Sequence, residues 1–107
     1  MQVAFHQSGG NCVAVISGRI TIDSSPDLRT LLLQRLAMPD CESLTADLTN
    51  VDYVDTSALA VLLEVLKSAH NLNKRFRLGG LRGHPRYLLE TTHILQLFNE
   101  DANGQAA

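Results

Sequence analysis

One run of residues limits what this chain can fold into more than any other. From about position 56 to position 71, Leu59, Leu62, Leu63 and Leu66 recur at helical spacing, with Val61 and Val65 widening the stripe. A helix this apolar has to be largely buried. The segment before it carries the opposite period: Leu44, Ala46 and Leu48 alternate with Thr45, Asp47 and Thr49. That alternation predicts a half-buried strand over 43–49, and residues 50–54 read as the loop that joins it to the helix. A strand feeding a buried helix is the start of a layered α/β domain.

The flanking segments extend this pattern. Residues 3–7 read as a short strand, and Ser8-Gly9-Gly10-Asn11 is a turn cluster leading into a second apolar run over 12–17, which predicts a hairpin. Gly18 and Arg19 end that run, and Ile20-Thr21-Ile22 continues extended. Asp23-Ser24-Ser25-Pro26 then supplies capping candidates with a proline near a first helical turn. Leu28, Leu31, Leu32 and Leu36 form one stripe of the helix that follows, and Met38-Pro39-Asp40 stops it. Further on, Phe76 and Leu78 alternate with Arg75 and Arg77 in a strand closed by Gly79-Gly80. Pro85 suits the first turn of a last helix, with Leu88, Thr92 and Leu95 on a common face; Leu97 and Phe98 anchor a final extended segment. The predicted order is ββαβαβα. Right-handed crossovers then give a mainly parallel sheet, and the opening hairpin makes it mixed. With 107 residues there is room for a single domain, taken as residues 1–99, followed by a loose polar tail at 100–107.

Composition removes several function classes. The longest apolar run, 58–63, stops at Glu64, far short of the roughly 20 residues that span a bilayer, so no membrane insertion is expected. The first residues show no basic segment followed by an apolar stretch, which makes the cytoplasm the expected compartment. Cys12 and Cys41 are expected as free, partly buried thiols, because a domain of this size needs no disulfide. Five cations, Lys74, Arg75, Arg77, Arg82 and Arg86, stand together without an acid among them. Only Phe76 is interleaved and the pI is near 6.0, so nucleic acid is not the expected partner.

No catalytic constellation is legible. His6, His70, His84 and His93 are scattered, with no pair at the spacing that puts two metal ligands on one helix face. Gly79-Gly80-Leu81-Arg82-Gly83 lacks the Lys-Ser/Thr of a P-loop and the spacing of a dinucleotide motif, and reads as a strand-to-helix turn. Neither a metal nor a cofactor is expected. Helix physics does single out Asp55-Thr56-Ser57. Asp55 or Thr56 can cap the free N–H groups, which leaves the Ser57 hydroxyl in the first turn. A phosphate there would add about 1.5 to 2 negative charges where helix dipole and amides favour an anion. Ordinary capping explains the same residues.

Val54-Asp55-Thr56-Ser57-Ala58-Leu59, followed by Ala60-Val61-Leu62-Leu63, with Ser17-Gly18-Arg19-Ile20 upstream and Asp47-Leu48 before it, resembles the STAS domain of bacterial anti-sigma factor antagonists. The likeness covers nearly the whole chain and implies a STAS-like fold. Set against the family pattern Asp-Ser/Thr-Ser/Thr-Gly-Leu, the phosphoacceptor hydroxyl falls on Ser57, the neighbouring hydroxyl on Thr56 and the motif acid on Asp55. Asp23 resembles the family's acidic residue near the phosphorylation site. Ala58 stands where the family has glycine, and residues 99–107 are too polar for the last helix many members carry. The resemblance thus implies partner binding through Asp23, Asp55, Thr56, Ser57 and Ala58. It implies a non-catalytic partner-switching regulator that binds an anti-sigma factor with serine kinase activity, is phosphorylated by it on Ser57, and is restored by a serine phosphatase. An alternative within the same resemblance is a stand-alone accessory subunit on the cytoplasmic ATPase of a lipid-transport ABC complex, with Thr56 as the functional hydroxyl. A third possibility, nucleotide binding by the domain, has only residues 79–83 and the nearby arginines behind it.

Overall fold

The computed structural model describes the backbone of residues 1–102 and 105–106 and the side chains of residues 1–98. Strand β1 (Gln2–Ser8) turns back into β2 (Asn11–Ile20), antiparallel with Phe5 opposite Ala14. Strands β2, β3 (Ser43–Val54) and β4 (Arg75–Gly79) then run parallel, joined through α1 (Ser25–Leu36) and α2 (Thr56–Asn71). Helix α3 (Gly83–Thr91) and a 3-10 turn at Leu95–Leu97 lead to β5 (Asn99–Ala102), parallel to β4, and β6 (Gln105–Ala106). The sheet order is β1-β2-β3-β4-β5-β6. Through α3 this is the expected mixed α/β arrangement. Of the loose polar tail expected at 100–107, residues 100–102 and 105–106 lie instead in β5 and β6, and residues 103, 104 and 107 are outside the described residues.

Period and register together explain the core. Cys12, Leu44 and Phe76 align across β2, β3 and β4, as do Ala14, Ala46 and Leu78, and all six are buried. Helix α1 adds Leu28, Leu32 and Leu36, and α2 adds Leu62, Val65 and Ala69. Each leucine removed from water in this way contributes on the order of 1.5–3 kcal/mol before the entropy of ordering it is counted. The alternate residues Val13, Thr45 and Arg77 are half-buried on the other face of the sheet. Cys12 and Cys41 are free thiols within the core, and burial raises both thiol pKa values above the ordinary range.

Four other local expectations differ from the structure. Residues 50–54 are not a loop: they continue β3, with Asn50 opposite Ser17, Val51 opposite Gly18 and Val54 opposite Ile20. Register shifts between Val15 and Ser17 and between Gly18 and Arg19 break the two-residue period, so the alternation that marks 43–49 is lost beyond it. Gly18, at φ +92°, takes a left-handed conformation that favours glycine at that bulge. Strand β2 runs through Gly18 and Arg19 and ends at Ile20, because Thr21 opens a turn whose carbonyl accepts from the amides of Ser24 at 2.9 Å and Ser25 at 2.8 Å. Helix α3 buries Pro85 and Leu89, while of the face expected there Leu88 only packs against the core's edge, Thr92 is exposed at the C-cap and Leu95 lies beyond it in the 3-10 turn, also at the core's edge. Finally, Phe98 is the residue that anchors the last extended segment, set edge-on to Phe76 at 6.0 Å, whereas Leu97 is exposed.

Candidate functional site

Parallel strands bring their carboxyl ends to one side of a sheet, and loops at that side are the usual place for function in α/β folds. Here Ile20 and Val54 are register partners at the ends of β2 and β3, so the turn after β2 lies beside the start of α2. Asp55 joins the two. Its amide donates to the Ile20 carbonyl at 3.1 Å, and its extended backbone makes it the N-cap of α2. One carboxylate oxygen, Oδ1, accepts from the Ser57 amide at 2.9 Å and also from the Ser57 hydroxyl. The other, Oδ2, accepts from the Ile22 amide at 2.9 Å. Between Asp55 and Thr56, the capping role thus belongs to Asp55.

These donors set the charge state of the carboxylate. The Ser57 hydroxyl hydrogen bond, with the amides of Ile22, Ser57 and Ala58, holds the Asp55 pKa below its ordinary value, and partial desolvation opposes them. Asp55 is therefore an anion near neutral pH. Ser57 occupies the second helical position, half-buried, with its hydroxyl hydrogen turned toward Asp55; Thr56, one position earlier, is exposed. Asp23 is exposed in the turn that carries Ile22, with its amide on Thr21 Oγ1 at 3.3 Å. Asp23, Asp55, Thr56 and Ser57 are thus brought to one end of the sheet. Ala58 is not available in the same way. It is fully buried, because the third helical position turns toward the sheet, and its methyl belongs to the core rather than to a surface a partner could touch.

Sequence reasoning assigns no site role to four neighbours, Ile22, Tyr53, His84 and Arg19. Ile22, bonded to Asp55, is 71% exposed. Tyr53 stacks on His84, with ring centroids 4.6 Å apart and planes 13° from parallel, and the Arg19 guanidinium lies 4.2 Å from the Tyr53 ring centroid. His84 Nδ1 also accepts from the Val54 amide at 3.4 Å, so this histidine ties α3 to the end of β3. Its signal in the sequence is only its position beside Pro85 at a helix start. Beyond it, a cleft of about 530 Å³ runs between Asn50–Asp52 and Arg82–Pro85. Arg82 directs Nε and Nη2 onto the Thr49 carbonyl at 3.2 and 2.9 Å. The glycine-rich segment thus makes a strand-to-helix turn held by its own arginine. Gly80, at φ +68°, has no room for a side chain, since a Cβ would stand 2.7 Å from the Thr49 amide nitrogen.

Residues 3–98 match the family model described as "Mlab, STAS domain". The chain belongs to the STAS domain family. Solved structures of this shape include an anti-sigma factor antagonist from Mycobacterium paratuberculosis, 18% identical, with a TM-score of 0.83 over 92% of this chain and 83% of that one. A variant of RsbS from Moorella thermoacetica is 21% identical, with a TM-score of 0.75 over 96% of this chain and 88% of that one. The Bacillus cell fate determinant SpoIIAA in its phosphorylated form is 9% identical, with a TM-score of 0.72 over 92% of this chain and 90% of that one. At these identities the likeness is one of fold. The STAS domain here has its capping aspartate and its two hydroxyls at the start of α2, and no described helix is long and apolar enough to cross a membrane.

Proposed function

We propose that this STAS domain is a non-catalytic partner-switching regulator of the anti-sigma factor antagonist type, working in the cytoplasm and controlled by reversible phosphorylation of Ser57. The observation that carries the reading is the Ser57 hydroxyl in the first turn of α2, oriented by the cap Asp55 at the carboxyl end of the parallel strands. Solved structures of the same fold that are described as anti-sigma factor antagonists, and one in a phosphorylated form, support it. Unmodified, the surface of Asp23, Asp55, Thr56 and Ser57 binds an anti-sigma factor with serine kinase activity. On modification the γ-phosphoryl group passes from ATP to Ser57 Oγ, ADP leaves, and the hydroxyl proton passes to a base of the kinase. The helix amides and dipole favour the new anion, while Asp55 and Asp23 oppose it, so the larger cost falls on the docked partner. A serine phosphatase reverses the change. The domain contributes a hydroxyl and a shape, and takes its chemistry from its partners.

Incubation with the cognate serine kinase and ATP, followed by mass spectrometry, tests this. One phosphate is expected on the wild type and none on Ser57→Ala. A wild type that stays unmodified, or a Ser57→Ala chain that is still fully modified, overturns the reading. A second reading is favoured by the exposure of Thr56 beside a half-buried Ser57: an accessory subunit docked on the cytoplasmic ATPase of a lipid-transport ABC complex, with Thr56 as the contact hydroxyl. Co-purification with an ATPase that is weakened by Thr56→Ala and untouched by Ser57→Ala would select it.

A further inference from the structure

Among the described residues, Ile22 is the most exposed of the large apolar side chains that reach the surface, at 71%. Single exposed apolar residues are common and need no explanation by themselves. What sets this one apart is how its backbone is held. The turn from Thr21 to Ser24 is closed on itself by the Ser24 amide on the Thr21 carbonyl at 2.9 Å and by the Thr21 amide on Ser24 Oγ at 3.1 Å. Outside that turn, the Ile22 amide bonds to Asp55 Oδ2, whose sister oxygen holds both the amide and the hydroxyl of Ser57. Two bonds of 2.9 Å across one carboxylate put the amide nitrogens of Ile22 and Ser57 within about 8 Å of each other. One side chain therefore spans the candidate phosphoacceptor and the loop that carries the exposed isoleucine.

We propose that Asp55 is a relay through which the chemical state of Ser57 sets the presentation of Ile22 to a partner. The inference rests on the reading of Ser57 as a modified hydroxyl. In the unmodified chain the Ser57 amide and hydroxyl both donate to Oδ1, which leaves Oδ2 facing the Ile22 amide. A phosphate on Ser57 removes that donor and adds three acceptor oxygens and nearly two negative charges. The free amides of the first helical turn then serve the phosphate, and like-charge repulsion drives the Asp55 carboxylate out of its capping position. The Ile22 amide loses its acceptor, and the isoleucine leaves the place a partner reads. Apolar contact and hydroxyl are switched together, with Asp23 and Asp27 as the exposed acids of the same turn and of the helix that follows it.

The test uses the whole chain with phosphoserine placed at position 57 during translation, so no kinase is involved, and two-dimensional amide NMR with hydrogen exchange as the readout. In the unmodified protein the Ile22 amide is protected and shifted downfield. With phosphoserine it moves upfield and exchanges about tenfold faster, the scale of one lost hydrogen bond. Asp55→Ala gives the same Ile22 signature, and Ser57→Ala, which keeps the Ser57 amide bond, gives little change. The amide of residue 55, bonded to the Ile20 carbonyl, reports that the fold is intact in every form. An Ile22 amide that keeps its unmodified shift and protection while the Ser57 amide moves overturns the relay and leaves the modification reading standing. Failure of the kinase experiment, conversely, leaves this result untouched.

Discussion

Ala58→Gly restores the residue that the family pattern has at this position, and the structure says what that costs. Ala58 is fully buried in the first turn of α2. Glycine in a helix costs about 0.5–1 kcal/mol relative to alanine, through backbone entropy. Removing one buried methyl costs about 0.8 kcal/mol more. The sum, about 1.5 kcal/mol, lowers the thermal midpoint of a domain this size by about 7 °C. Thermal and urea unfolding followed by circular dichroism measure it directly. Because the methyl faces the core, the Ser57 and Asp55 amide signals and the extent of Ser57 phosphorylation should stay within twofold of wild type. A glycine variant as stable as the parent would show that the methyl is not packed. One with a severalfold change in phosphorylation would show that position 58 acts on the partner surface after all.

Two further outcomes follow from the same structure. Gly80→Ala forces a side chain onto a backbone at φ +68° and into contact with the Thr49 amide. A loss of about 2 kcal/mol or more is expected, read as a lower urea midpoint, and a neutral result would mean that the β4–α3 turn can open without cost. The Asp55 carboxyl has its folded pKa held below the ordinary value of 3.8, so its contribution is fully present above the unfolded pKa and is lost as pH falls through the folded one. The stability gap between wild type and Asp55→Asn is therefore flat near neutral pH and closes below about pH 4. A gap that widens on acidification would refute the capping geometry.

The regular parts of the fold and the hydroxyls of the site were legible for different reasons. Alternation over 43–49 and the leucine spacing of α2 are local periods, and each required only that one face be buried. Asp55-Thr56-Ser57 was readable as a helix start because capping is a short-range chemistry, although whether Asp55 or Thr56 held the cap was open. The second half of β3 was not readable. Asn50 and Asp52 look like loop residues until the bulged end of β2 lies beside them and supplies the hydrogen bonds that make them a strand. Leu31 and Leu89 show the same limit from the other side: helical period marks a stripe, but the angle at which a helix meets the sheet decides that Leu31 is 37% exposed and Leu89 is buried.

Read alone, the residue order determined the mixed α/β class, the chain of elements as far as α3 and the position of Ser57 in the opening turn of the most apolar helix, because each depends on neighbours a few positions apart. Only the tertiary structure decided that Ile22, thirty-three positions from Asp55, shares its carboxylate with Ser57, that Tyr53 lies against Arg19 and His84, and that the Ala58 methyl points inward. Those are contacts between separate elements. They exist only once the parallel strands have aligned their carboxyl ends, and no local period encodes that alignment.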